Sequence, residues 1–125
     1  LFNKAQDIAK TIAEKLKYVG TMCVEFFIDK DNNLYVNEIA PRVHNSGHLT
    51  INAFNVSQFE NHVRAVCNLE KIELKKKSDA QMMNIIGDEI NNYRGKSFNP
   101  NEYFFDYLKK EVKDKRKMGH ITILK

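Results

Sequence analysis

Apolar residues recur at helical spacing over residues 3–17, where Ala5, Ile8, Ala9, Ile12, Ala13 and Leu16 form one stripe. Asn3 and Gln6 stand at capping-box spacing at its start, and Gly20 is placed to end it. The period then shortens to two. Met22, Val24, Phe26 and Ile28 alternate with Cys23, Glu25 and Phe27, and residues 34–39 form a second extended run. The turn formers Asp29, Lys30, Asp31, Asn32 and Asn33 lie between, which predicts a β-hairpin. Pairing Ile28 with Tyr35 sets Glu25 opposite Glu38. Residues 51–56 fit helix and strand equally. Ser57 and Glu60 make a second capping box, and Val56, Phe59, Val63, Val66 and Cys67 carry a helical stripe to about Asn68. His62 and Arg64 fall off that stripe, as solvated or packing side chains.

Residues 70–79 read as a linker, and residues 80–86 as a short apolar strand ended by Gly87. A short helix or turn follows over 88–95, then a Pro/Asn loop over 98–102. Residues 103–109 pair with residues 118–124 across a charged connection, with Phe104, Tyr107, Ile121 and Ile123 as candidate core. The fold class is α+β: an antiparallel sheet with helices, then a small β-rich closing subdomain.

Composition narrows the function classes. With 125 residues, 42% hydrophobic and 29% charged, the chain can bury one ordinary core. No apolar run reaches a membrane span, and no signal-peptide pattern opens the chain. Cys23 and Cys67 lack metal-type spacing, so reduced thiols in a cytoplasmic protein are expected. The net charge of +4 comes largely from Lys75, Lys76, Lys77 and the stretch 109–117. Neither basic segment interleaves aromatic residues or forms a basic helix face, which argues against nucleic acid as a partner.

The candidate chemistry sits on the hairpin and its exit loop. Like charges opposite each other across a ladder repel unless a cation lies between them. Two carboxylates, Glu25 and Glu38, suit magnesium, a hard ion commonly held by one or two carboxylates together with substrate phosphates. The competing view, a solvated sheet face, has equal weight on the hairpin alone. The loop shifts the balance: Pro41 ends the strand, and Arg42, His44, Asn45, Ser46 and His48 follow at once. Arginine offers a planar donor fork for carboxylate or phosphate, and Gly47 permits a tight or left-handed turn. Asn37 points to the opposite face in an ideal strand, so a role at a metal needs a local twist. Ser46 has no recognisable base paired with it as a nucleophile would require.

Residues 37–48, NEIAPRVHNSGH, closely resemble the signature of the ATP-grasp enzymes of the N5-carboxyaminoimidazole ribonucleotide synthetase (PurK) family. Collinear matches follow at Ser57-Gln58-Phe59-Glu60 with His62 and Arg64-Ala65-Val66, at Met83-Asn84-Ile85-Ile86-Gly87, and at Arg116-Lys117-Met118-Gly119-His120. The resemblance implies that residues 1–70 are the C-terminal portion of an ATP-grasp domain and residues 71–125 the closing subdomain. It implies that a preceding nucleotide-like domain, glycine-rich lid and adenine-binding segment belong to a longer polypeptide, since the five glycines here are scattered. The implied reaction phosphorylates bicarbonate with ATP to carboxyphosphate, whose carboxyl group passes to 5-aminoimidazole ribonucleotide. The implied roles are Glu25 and Glu38 for magnesium, Asn37 and Glu38 for the nucleotide, and Arg42, His44 and Asn45 for catalysis. Ser46, Lys109 and Arg116 are the implied substrate contacts, the lysine and arginine on the 5′-phosphate, while His120, at the start of a strand, fits substrate contact and simple packing equally. Leu108 departs from the pattern, because the family has glycine before this lysine. A homodimer is implied for the complete enzyme. Another ATP-grasp ligase, or a non-catalytic domain keeping the fold, stands as the alternative.

Overall fold

The computed structural model describes all 125 residues, as two compact units: residues 1–47 with 56–73, and residues 48–55 with 74–125.

The first unit begins with helix α1 (Phe2–Lys15). Its stripe residues Ala5, Ile8, Ala9, Ile12 and Ala13 are half-buried, whereas Leu16 is exposed. The expected Asn3/Gln6 capping box does not form: the helix starts one residue earlier, at an N-cap Leu1 with no side-chain cap. The expected stop at Gly20 is also displaced. Lys17 takes the left-handed position (φ 48°), and the Tyr18 amide reaches back to the Ala13 carbonyl.

Strands β1 (Cys23–Ile28) and β2 (Leu34–Ala40) form the hairpin. Asp29 organises its turn: the carboxylate accepts the amides of Asp31 and Asn33 and the Asn33 side chain. The bonds from Asn33 hold its pKa below the ordinary carboxylate value. Glu25 pairs with Glu38 as expected, but Ile28 pairs with Leu34 and Phe27 with Tyr35. The register shifts between Glu25 and Phe26, whose partner is Val36, leaving Asn37 as an extra residue, a β-bulge. Phe27, Ile28, Tyr35 and Val36 remain exposed, because a two-stranded ribbon cannot bury both its faces. Helix α3 (Gln58–Val66) completes the unit, with the Ser57 hydroxyl accepting the Glu60 amide at its start. Arg64 pairs with Glu60 at 2.9 Å, and His62 packs against the start of β1, its Nδ1 accepting the Thr21 amide at 3.1 Å.

Of the ambiguous stretch 51–56, residues 51–53 lie in helix α2 (Thr50–Ala53) of the second unit, and the chain turns extended at Phe54. The expected linker is partly tied down there: the Ala53 carbonyl accepts the Lys77 amide at 2.7 Å, and Phe54 bridges to Lys76. Strands β3 (Ala80–Ile86), β4 (Glu102–Asp106) and β5 (Lys117–Leu124) form one antiparallel sheet in the order β3-β5-β4. The closing sheet is therefore three-stranded, with the chain's last strand at its centre. β4 stops three residues short of the expected Lys109. Of the four candidate core residues, Ile121 is buried and Phe104 packs against the core, while Tyr107 and Ile123 are half-buried. The apolar core of the unit is built on Ile85, Ile90, Met118 and Ile121, with Tyr93, Phe98 and Phe104 stacked alongside. Ile90 lies in a 3-10 helix (Gly87–Asn92), and Met118 is the extra residue where the β3–β5 register shifts.

Leu108 has φ 52° and is 79% exposed. The position where the resembled family has glycine is thus a left-handed one, which costs a side-chain-bearing residue about 1–2 kcal/mol. Leu108→Gly relieves that strain and loses almost no packing, while it adds freedom to the unfolded chain. We expect a net stabilisation of about 0.5–1 kcal/mol, seen as a higher urea midpoint. Leu108→Ala keeps the strain and should not reproduce it.

Candidate functional site

In the first unit, Glu25 and Glu38 face each other as ladder partners, so their side chains leave the ribbon on the same face. The register shift leaves Asn37 as the extra residue of β2, and a bulge of this kind bends its strand and increases the local twist. Glu38 and Asn37 are exposed. Oxygen donors on opposed strands, open on one side, fit a hard divalent cation that keeps positions for phosphate oxygens.

β2 ends at Ala40, the only buried residue of the hairpin strands, and Arg42 follows exposed. The Arg42 guanidinium donates to the Val43 carbonyl at 3.0 Å and pairs with no carboxylate, so most of its donor fork faces outward. A 3-10 turn (Asn45–Gly47) then folds the loop back, with the Gly47 amide bonded to the His44 carbonyl. Gly47 is not left-handed. Glycine is required for a different reason: a Cβ there would lie 2.3 Å from Gln58 Oε1.

His44 is the centre of this loop. Its Nε2 lies 3.2 Å from Glu25 Oε1, and its Nδ1 lies 2.9 Å from the Ser46 hydroxyl. The Ser46 amide also points at Nδ1, at 3.3 Å. An amide can only donate, so Nδ1 is the acceptor and the ring proton sits on Nε2, facing Glu25. Ser46 therefore has the paired base that the sequence did not reveal, in a carboxylate–imidazole–hydroxyl chain suited to carrying a proton. Cys23 Sγ lies 3.9 Å from the same hydroxyl.

One residue here escaped the sequence expectations. Gln58, the first residue of α3, is buried and grips the His44 backbone at both ends: Oε1 accepts its amide at 2.9 Å, and Nε2 donates to its carbonyl at 2.7 Å. The available signal was a glutamine of the Ser57-Gln58-Phe59-Glu60 match placed inside a buried helix start. Gln58→Ala leaves both His44 groups without these partners. The expected cost is about 1–3 kcal/mol, measured by urea unfolding, with loss of the His44–Glu25 contact. Gln58→Glu keeps the acceptor but sets a carboxylate against the His44 carbonyl, so it should not rescue.

The second unit holds a different cluster. His120 is 2% exposed, with Nδ1 2.9 Å from the Tyr107 hydroxyl. Its ring is stacked by His48 at 5.2 Å and by Phe105 at 5.5 Å between centroids. Burial, and then the neighbouring charge of His48, push its pKa down to about 4, so it is neutral at pH 7. Burial also raises the Tyr107 phenol. Lys109 Nζ lies 5.2 Å over the Tyr107 ring and donates to the Lys117 carbonyl. Arg116 donates to the Glu111 carbonyl at 3.3 Å. Neither cation is paired with a carboxylate, which leaves both charges available to an anion. Arg94 and Asp106 instead form a two-pronged pair at 2.7 and 3.3 Å, holding the Asp106 carboxyl below its ordinary pKa.

Residues 1–59 match the ATP-grasp domain family, and residues 80–125 match the phosphoribosylaminoimidazole carboxylase C-terminal domain family. The N5-carboxyaminoimidazole ribonucleotide synthase of Staphylococcus haemolyticus is 49% identical over 97% of this chain and 33% of its own length. The crystal structure of N5-carboxyaminoimidazole synthetase from Staphylococcus aureus superposes with a TM-score of 0.89 at 41% identity, over 99% of this chain and 34% of that one. The Aspergillus clavatus N5-carboxyaminoimidazole synthase, solved with ADP and 5-aminoimidazole ribonucleotide, gives a TM-score of 0.88 at 35% identity over 98% of this chain and 35% of that one. The chain thus spans about a third of the length of the relatives it matches. No helix is long and apolar enough to cross a membrane.

Proposed function

We propose that this chain, which belongs to the N5-carboxyaminoimidazole ribonucleotide synthase family of ATP-grasp proteins, carries the metal-binding and ribonucleotide-binding residues of an ATP-dependent carboxylase. ATP phosphorylates bicarbonate to carboxyphosphate, and the exocyclic amine of 5-aminoimidazole ribonucleotide captures the carboxyl group, releasing phosphate. The observation that carries this is the pairing of Glu25 with Glu38 across a bulged hairpin that leads straight into Arg42, His44 and Ser46. In this reading residues 1–70 derive from the ATP-grasp domain and residues 71–125 form its closing subdomain.

Glu25 and Glu38 would hold magnesium, with Asn37 beside them toward the nucleotide. The ion, when bound, neutralises charge on the transferring phosphoryl group. Arg42 presents its open fork to bicarbonate and then to carboxyphosphate, an electrostatic task. His44, oriented by Gln58 and poised between Glu25 and Ser46, accepts or returns a proton as the amine is acylated, and Asn45 contacts the reacting ribonucleotide. Ser46 offers its hydroxyl to the substrate or to His44. In the second unit, Lys109 and Arg116 bind the 5′-phosphate by charge-assisted bonds. Neutral His120 keeps a shaped, aromatic surface for the ribonucleotide. The complete enzyme acts in the cytoplasm as a homodimer on these small molecules.

ADP release from ATP and bicarbonate tests this, run on the chain alone and on the chain joined to the two thirds of the relatives' length it does not span. Release stimulated by 5-aminoimidazole ribonucleotide in the completed form supports the assignment. A well-folded completed form that releases ADP with a different acceptor, or with none, overturns it.

A further inference from the structure

The carboxylate of Glu25 is shared. On one side its residue is the ladder partner of Glu38, with which it is proposed above to hold a hard cation. On the other it faces His44, and behind His44 lies a thiol. One ligand atom each from Cys23, Glu25 and His44 lie within 4.8 Å of one another. These are sulfur, oxygen and nitrogen, half-buried and drawn from a strand and the loop beside it. Magnesium has no use for a thiolate or an imidazole. Zinc and its thiophilic neighbours bind both, together with carboxylate oxygen. Around a tetrahedral zinc such atoms sit roughly 3.3–3.6 Å apart, given the usual zinc–ligand distances. The Glu25–His44 pair is already at 3.2 Å, and Cys23, within 4.8 Å of both, needs to close by at most about 1.5 Å. The sequence hides this site, because the spacing 23, 25, 44 resembles no metal motif; the hairpin and the 3-10 turn bring the three together.

We propose that Cys23, Glu25 and His44 form a binding site for a thiophilic divalent cation of the zinc class, with three protein ligands and an open fourth position. Binding detaches His44 from its proton-carrying arrangement with Glu25. It also commits the one carboxylate that the magnesium pair cannot spare. The site is therefore inhibitory by construction, a consequence that rests on the function proposed above; the binding itself does not.

Binding is read on this chain without any activity assay. Cobalt(II) added to the reduced protein should give the thiolate-to-metal charge-transfer band of a cysteine-ligated ion, and zinc should abolish it by displacement. Cys23→Ser and His44→Asn should each lose the band and weaken zinc binding roughly tenfold or more, with circular dichroism confirming an unchanged fold. Cys67→Ser should change neither, and zinc should slow alkylation of Cys23 but not of the exposed Cys67. A band that persists in Cys23→Ser, a band that vanishes only in Cys67→Ser, or zinc affinity equal in native and Cys23→Ser protein overturns the proposal. In the completed enzyme, Cys23→Ser should keep its magnesium-dependent turnover and lose sensitivity to zinc. Inhibition unchanged in that variant removes the inhibitory role.

Discussion

Glu38→Gln, placed in the completed enzyme, should lower ADP formation by about a hundredfold to a thousandfold, the scale seen when one electrostatic stabiliser of a transition state is removed. The substitution keeps the shape of the side chain and removes one charge. In the native hairpin the two glutamates are direct ladder partners, an arrangement that is unfavourable by itself and that the proposed cation would offset. The amide variant should accordingly be more stable in the absence of magnesium, by up to about 1 kcal/mol, because a like-charge cross-strand pair is gone. Activity and stability thus move in opposite directions. A merely structural glutamate would lose both together, and a solvated one would lose neither. Turnover measured across a magnesium titration decides the matter: a normal rate at ordinary magnesium takes Glu38 out of the metal site. The variant of the partner, Glu25→Gln, should lose activity as well, but without the same gain, since His44 then loses its carboxylate contact.

The carboxylate pair was legible because a period of two fixes which side chains share a face, whatever the distant chain does. The hairpin turn was legible for the same reason, through Asp29 and the asparagines. The bulge at Asn37 was not. It adds one residue to one strand only, and a polar residue next to Glu38 leaves the alternation of Cys23 to Ile28 untouched. The clasp of Gln58 on His44 and the contact of His44 with Glu25 link residues brought together by folding, and spacing along the sequence does not reveal those contacts. Two features of the second unit were obscured by a mismatch between element and period. Ile90 is fully buried within a 3-10 helix too short to show a stripe, and Met118 is buried because a register shift turns it inward. Leu108 is the opposite case. The family pattern pointed to a glycine there, and the backbone is left-handed at that position although it carries a leucine.

The stability of the second unit should fall between pH 6.5 and pH 4, ahead of ordinary carboxylate titration. His120 supplies the reason. In the unfolded chain a histidine titrates near pH 6.5, whereas the buried ring titrates at about 4. Over that window the unfolded state binds a proton that the folded state refuses, so stability is complete above the unfolded value and declines as pH drops toward the folded one. A displacement of this size is worth on the order of 3 kcal/mol, a large share of what a small unit possesses. The three ring contacts of His120 bring no carboxylate to it. His48 stacks on it and, when charged, repels it; Phe105 covers the other face; the Tyr107 hydroxyl meets Nδ1 and is itself held neutral by burial. Asp106, paired with Arg94, has its pKa lowered and gives up its contribution only in the more acid range below the unfolded carboxylate value, so the two effects separate along the pH axis. Urea unfolding of this chain at pH 7.0, 5.5 and 4.5 (roughly spanning the window), followed through the second unit's tyrosines, measures the loss. Proton resonances of the His120 ring give its midpoint directly. A midpoint near 6.5, or a urea midpoint that holds steady down to pH 4.5 (roughly the lower edge of the window), would mean that the ring accepts a proton in place, and the neutral aromatic surface proposed for the ribonucleotide would go with it.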